Sequence, residues 1–196
     1  DVSRETEARF SKLGGLLEKW NKCINLVSRR SFENLRERHI ADSAQLHAVA
    51  NHPVPHWVDM GSGGGFPGLV VAILACQTGS PAAVTLIESD RRKATFLTSA
   101  IRDLGLAAVV RTERIQMAPP LRADVVSARA LADLDTLLAF TERHMAANGE
   151  ALFLKGASWE KEVRAARSSW QFDCRVDTSE TNADSVILRI TGVSRA

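Results

Sequence analysis

Between residues 4 and 24 the apolar positions Phe10, Leu13, Leu16, Leu17, Trp20 and Ile24 recur three and four apart, which places them on one face of a helix. The pair Gly14-Gly15 falls inside that helix and weakens it. A second helix is predicted after Ser31, a residue able to cap it, and it extends to about Ala50, where the two prolines of NHPVPH break the chain. From Trp57 onward the period changes. Short apolar runs at 57–60, 84–88, 108–111, 123–127, 151–155, about 172–177 and 185–191 read as strands. Helical spacing fills the gaps at about 66–77, 90–104, 132–147 and 158–169. Strands separated by helices imply right-handed crossovers and a mostly parallel sheet of seven strands. The last two strands have no room for a crossover, so an antiparallel hairpin is expected at one side of the sheet. The predicted organisation is an N-terminal helical extension, residues 1–52, on one α/β domain, residues 53–196.

Composition narrows this only slightly. With 196 residues, 45% of them hydrophobic, the chain can bury one full core. No apolar run is long enough to span a bilayer, and the opening DVSRETEARF is too polar for a signal peptide. A cytoplasmic protein without membrane contact is expected. Cys23, Cys76 and Cys174 show no ligand or pairing spacing. They read as free thiols buried as small hydrophobes, and no metal site is expected. A net charge of +2 permits a nucleic-acid partner without requiring one.

The stretch WVDMGSGGGFPG carries the chemistry. It lies at the carboxyl end of the first strand, where open α/β sheets bind ligands, and its glycines let a ligand approach the backbone closely. Gly63, Gly65 and Gly68 form a literal GxGxxG, the mark of a dinucleotide site. However, the match begins four residues beyond Asp59 and contains Pro67. A carboxylate at Asp59 repels a pyrophosphate and suits a cationic group instead. The next strand ends at Glu88, well placed to accept hydrogen bonds from ribose hydroxyls. The pocket therefore suits a nucleoside joined to something other than a diphosphate, and S-adenosylmethionine meets that description.

DMGSGGGFPG resembles the D-x-G-S/T-G-x-G-x-P-G signature of the RsmG (GidB) family, whose members methylate N7 of one guanine in small-subunit (16S) ribosomal RNA. WNKCINLVSRRSFENLRERHIADS, ADVVSARALADL and LFLKG are similar to further segments of that family, and together they cover most of residues 16–156. The resemblance implies a Rossmann-like class I methyltransferase fold with S-adenosylmethionine as donor. It places Gly61, Phe66, Ile115, Gln116 and Arg129 at the donor site, to which the reading of the loop and strand ends adds Asp59, Ser62, Gly63, Gly65 and Glu88. Most relatives carry Glu where this chain has Gln116, and their R-D-P turn reads Arg30-Ser31-Phe32 here.

Guanine N7 has an in-plane lone pair and no proton to remove, so its methylation needs alignment more than a base. No residue is assigned a catalytic role. Other base-methylation chemistries leave marks that this chain lacks: SARA stands where exocyclic-amine enzymes carry a D/N/S-P-P-aromatic motif. The apolar neighbours of Cys76 argue for a core role rather than a nucleophile. Arg29, Arg30, Arg36, Arg38, His39 and Lys155 are the candidates for RNA contact. The expected partner is small-subunit ribosomal RNA or the small subunit itself, met by a monomer. A methyltransferase of the same fold acting on a small molecule, an NAD-dependent oxidoreductase and a non-enzymatic RNA-binding module are the alternatives.

Overall fold

A computed structural model of the chain describes residues 2–28 and 35–196, the side chains of 36–38 excepted. Helix α1 (Arg4–Asn21) is capped by Ser3, whose side chain accepts from Thr6 N, and its apolar stripe buries Leu13 and Leu17 completely. A π-helical turn (Leu35–Ile40) runs into α2 (Ala41–Val49). The α/β repeat follows: β1 (His56–Met60), α3 (Gly68–Thr78), β2 (Ala83–Ile87), α4 (Arg91–Leu104), β3 (Ala108–Arg111), β4 (Ala123–Arg129), α5 (Leu134–His144), β5 (Met145–Lys155), α6 (Trp159–Ala166), β6 (Trp170–Thr178) and β7 (Val186–Arg195).

The seven strands lie in the order β3-β2-β1-β4-β5-β7-β6. The first five pair in parallel, and β7 enters antiparallel between β5 and β6. The predicted hairpin is therefore present, with its second strand on the inside. Register puts Asp59 beside both Leu86 and Ser127, so the carboxyl ends of β1, β2 and β4 stand level. One buried cluster covers a face of the sheet with α1, α2, α3 and α4, including Phe10, Leu17, Leu46, Ile73 and Phe96. The other face is closed by α5 and α6 around Leu134, Leu138 and Trp170. Residues before 52 thus share a core with the sheet.

Two boundaries and the burial of the thiols differ from expectation for local reasons. The first helix stops at Asn21, not 24, because the Asn21 side chain closes a loop: its Oδ1 accepts from Leu26 N (2.9 Å) and Val27 N (3.1 Å), and its Nδ2 donates to Val27 O (3.0 Å). Helix α5 stops at His144 because β5 begins at the next residue. Cys23 and Cys76 are exposed and Cys174 only half-buried, all three as free thiols. Cys76 sits on the last turn of α3, on the side facing solvent, so its apolar sequence neighbours misrepresent it. The expected Ser31 cap lies outside the described residues. Among the described residues, no helix is long and apolar enough to cross a membrane.

Candidate active site

The loop after β1 turns sharply because Gly61, Gly63 and Gly65 all have positive φ. At Gly61 (φ +69°) a side chain would in addition strike Leu131. The loop is pinned to β2, with Gly61 N and Ser62 N both donating to Ile87 O at 2.9 and 3.1 Å. Glu88, one residue past β2, is buried, and its two oxygens take different parts of the site: Oε2 accepts from Gly63 N at 2.8 Å and Oε1 from Asp90 N at 2.7 Å. The loop and the carboxylate therefore hold each other in place.

Asp59 requires a correction. It is fully buried and does not line the cavity. Its Oδ2 accepts from Gly68 N at 3.0 Å, and its Oδ1 accepts from Ser127 Oγ at 2.9 Å. Ser127 Oγ in turn accepts from Trp57 Nε1 at 2.9 Å. Burial pushes the Asp59 pKa up to about 6, against hydrogen bonds from Ser62, Ser127 and Gly68 and the charge of Arg129. The carboxylate faces inward, fastening β1, β4 and the start of α3 beneath the loop instead of meeting a ligand's cation. Gly65 is also absent from the lining; it serves the turn, packed against Leu69.

The remaining donor-site residues converge on one cavity of about 630 Å³. Gly61, Ser62, Gly63 and Phe66 form one wall, Glu88 stands at the end of β2, and Ile115 and Gln116 line the far side. His144 Nε2 bonds Ile115 O at 2.8 Å, and Arg143 Nε donates to Ala118 O at 2.9 Å, so the end of α5 fixes the loop that carries them. Arg129 closes the site from the end of β4. Its guanidinium lies 5.5 Å from the Phe66 ring centroid, hydrogen-bonds His39 Nδ1 and faces Asp42 at 3.5 Å. The His39 and Phe66 rings are 4.8 Å apart. The chain then turns at Ala130 with φ +50°, a conformation that a non-glycine residue adopts at some energetic cost.

Several lining residues were not singled out in the sequence. Leu26, Val27 and Ser28 reach the cavity from the loop after α1, and Lys93, Glu113, Thr136 and Phe140 come from three other segments. Only the close fit at Gly64, where a Cβ would meet Leu26 O at 3.0 Å, records the first of these approaches. Of the RNA candidates, His39 lies on the cavity wall and Lys155 in a neighbouring cavity. Arg29 and Arg30 lie outside the described residues, as do the side chains of Arg36 and Arg38.

The cavity fits S-adenosylmethionine. A buried carboxylate ends β2 where a ribose would sit, Ile115 and Phe140 offer apolar walls to an adenine, and the glycine loop admits close backbone approach. The fold agrees. A TehB-like SAM-dependent methyltransferase from Corynebacterium glutamicum superposes with a TM-score of 0.60 at 16% identity, over 92% of this chain and 98% of that one. Pyrococcus horikoshii TYW2, solved in complex with MeSAdo, gives 0.60 at 14% identity over 81% and 63%. In sequence, a protein named ribosomal RNA small subunit methyltransferase G from Ruegeria sp. (strain TM1040) is 52% identical over 195 residues, covering 100% of this chain and 95% of that protein. Its counterpart from Ruegeria pomeroyi is 50% identical over 196 residues. The family model described as GidB, rRNA small subunit methyltransferase G, matches residues 6–187. This chain belongs to that family.

Proposed function

We infer that this protein methylates small-subunit ribosomal RNA from S-adenosylmethionine, and that its acceptor is the N7 of a guanine. The observation that carries the reading is the meeting of two cavities at Arg129: the one built on the glycine loop, and a second that opens past the end of β4. Donor and acceptor can then be held side by side, with His39, Arg129, Ala130 and Ala132 lining both cavities. The donor, when bound, supplies an electrophilic methyl group. What the protein supplies is placement, because N7 offers its lone pair without losing a proton. Glu88 would accept from ribose hydroxyls, its carboxylate held in place by Gly63 N. Ile115 and Phe140 would give the adenine apolar walls, and Gln116 would offer it a polar group from the same lining. Arg129, steadied by Asp42, His39 and Phe66, gives the wall between the cavities a fixed positive charge.

The basic stretch Arg29–Arg38 follows Ser28, which lines the donor cavity. That adjacency in the sequence supports a role in holding RNA phosphates. The direct test supplies donor labelled at its methyl group, together with small subunits purified from cells lacking this activity. Label recovered in the ribosomal RNA supports the reading. Label confined to protein or to small molecules contradicts it, as does displacement of S-adenosylhomocysteine by equimolar NAD.

A further inference from the structure

The second cavity, of about 500 Å³, is lined by His39, Asp42 and Arg129 on one side and by Lys155 and Glu162 on the other. Lys155 ends β5, and its side chain is only 10% exposed; Glu162 lies on α6 at 22%. Lys155 Nζ donates to Glu162 Oε2 at 2.6 Å and to Ala132 O at 2.8 Å. Glu162 also accepts from Leu134 N at 3.0 Å and from Ser158 Oγ at 2.9 Å. Burial works against its charge, but the hydrogen bonds from Lys155 and Ser158 outweigh it and hold its carboxyl below the ordinary value, so Glu162 remains an anion.

A partly buried ion pair contributes little net stability as a link between a strand end and a helix. Its remaining capacity explains what it offers instead. An ammonium has three donors, of which Lys155 uses two; a carboxylate has about four acceptor positions, of which Glu162 uses three. The cavity is thus offered one donor beside one acceptor. Guanine presents the complement along its edge, the O6 acceptor next to the N1–H donor, with N7 on the far side of O6. Adenine presents the reverse, an amino donor beside the N1 acceptor, and meets both charges with the wrong polarity.

We propose that this second cavity takes the acceptor base, and that the Lys155–Glu162 pair selects guanine, Lys155 donating to O6 and Glu162 accepting from N1–H. The assignment rests on guanine N7 being the acceptor atom. It also orients the base, since engaging O6 and N1 at the Lys155–Glu162 side leaves N7 toward Arg129 and the donor cavity. When N7 takes the methyl group through its own lone pair, the sulfur keeps the electron pair of the broken bond. The ring then acquires the positive charge that the sulfonium loses, and no proton leaves. N1–H becomes a stronger donor as that charge develops, so the Glu162 contact strengthens on the way to the transition state.

The test is a double cycle of enzyme and substrate. Wild type and Glu162→Gln are compared, at saturating donor, on small subunits carrying guanosine at the methylated position and on subunits rebuilt with 2-aminopurine riboside there. That analogue keeps N7 but has no O6 and no N1–H. The analogue is expected to slow wild type at least a hundredfold, chiefly in kcat, and the variant less than tenfold further below its own guanosine rate. If the two effects multiply within threefold, the assignment is wrong. Lys155→Met, which leaves the Leu134 and Ser158 contacts of Glu162 in place, gives the same reading should Glu162→Gln fail to fold. S-adenosylhomocysteine affinity within threefold of wild type shows that the donor cavity is intact in either variant. Wild type that makes no N7-methylguanosine on guanosine subunits overturns the underlying reading, and the pair's role with it.

Discussion

Ser127 Oγ donates to Asp59 Oδ1 at 2.9 Å, so a buried side-chain bond joins β1 to β4 directly beneath the glycine loop. The Asp59 pKa is raised to about 6, burial being the largest cause. A carboxyl raised on folding costs nothing below its unfolded pKa, where it is neutral in both states. The penalty grows as pH rises from about 4 to about 6 and is constant above, reaching roughly 3 kcal/mol for a shift of about two units.

Asp59→Asn removes that titration. Its stability relative to wild type is expected to improve by roughly 2–3 kcal/mol between pH 4 and pH 7. Urea melts of both proteins across that range check this. A stability difference that does not change with pH would show that Asp59 is not the buried acid described.

Two glycines make opposite predictions. A Cβ at Gly68 would meet Asp59 Oδ2 at 2.7 Å and Leu86 Cγ at 2.9 Å, whereas one at Gly15 meets nothing within 4 Å on an exposed helix face. Gly68→Ala is expected to lose about 1–3 kcal/mol of stability through overpacking and to weaken S-adenosylhomocysteine binding. Gly15→Ala gains about 0.5–1 kcal/mol by stiffening α1 and leaves that binding unchanged. Thermal melts with and without the ligand separate the two.

Arg129→Lys keeps the charge but not the planar fork that faces Asp42 and lies over Phe66. Lysine cannot make these contacts together, so methyl transfer to subunits should fall by roughly tenfold to a hundredfold. Steady-state rates measure this, and a variant within twofold of wild type would remove Arg129 from the site.

The thiols provide a check on the fold away from the cavity. Cys23 and Cys76 are exposed, while burial pushes the Cys174 thiol up. Two thiols per chain should react with a disulfide reagent at neutral pH in the native state and the third markedly more slowly. Fast reaction of all three would contradict the packing of β6.

The sheet, its crossovers and the glycine loop were legible because each leaves a local mark: a period, a length or a run of small residues. Glu88 was legible for the same reason, as an acid that ends an apolar strand. Asp59 was misread because its position in the string is that of a ligand-facing residue, whereas its side-chain direction follows from its pairing beside Ser127, sixty-eight residues away. Cys76 was misjudged because a fully apolar helix such as α3 buries nearly all its faces, which hides the turn where it reaches solvent. Of the second cavity the sequence offered single residues, His39, Arg129 and Lys155, but not their meeting in one site. Lys155 was read only as a cation for RNA and Glu162 not at all, because only the approach of α6 to the end of β5 makes a pair of them.

The measurement that tests the account most directly is the identity of the methylated nucleoside. Small subunits from cells lacking this activity would be incubated with the protein and labelled donor, and their RNA digested to nucleosides and separated by mass and retention. The account predicts label in N7-methylguanosine at close to one per subunit. Label in any other nucleoside, or none in RNA while S-adenosylhomocysteine still binds, would contradict it.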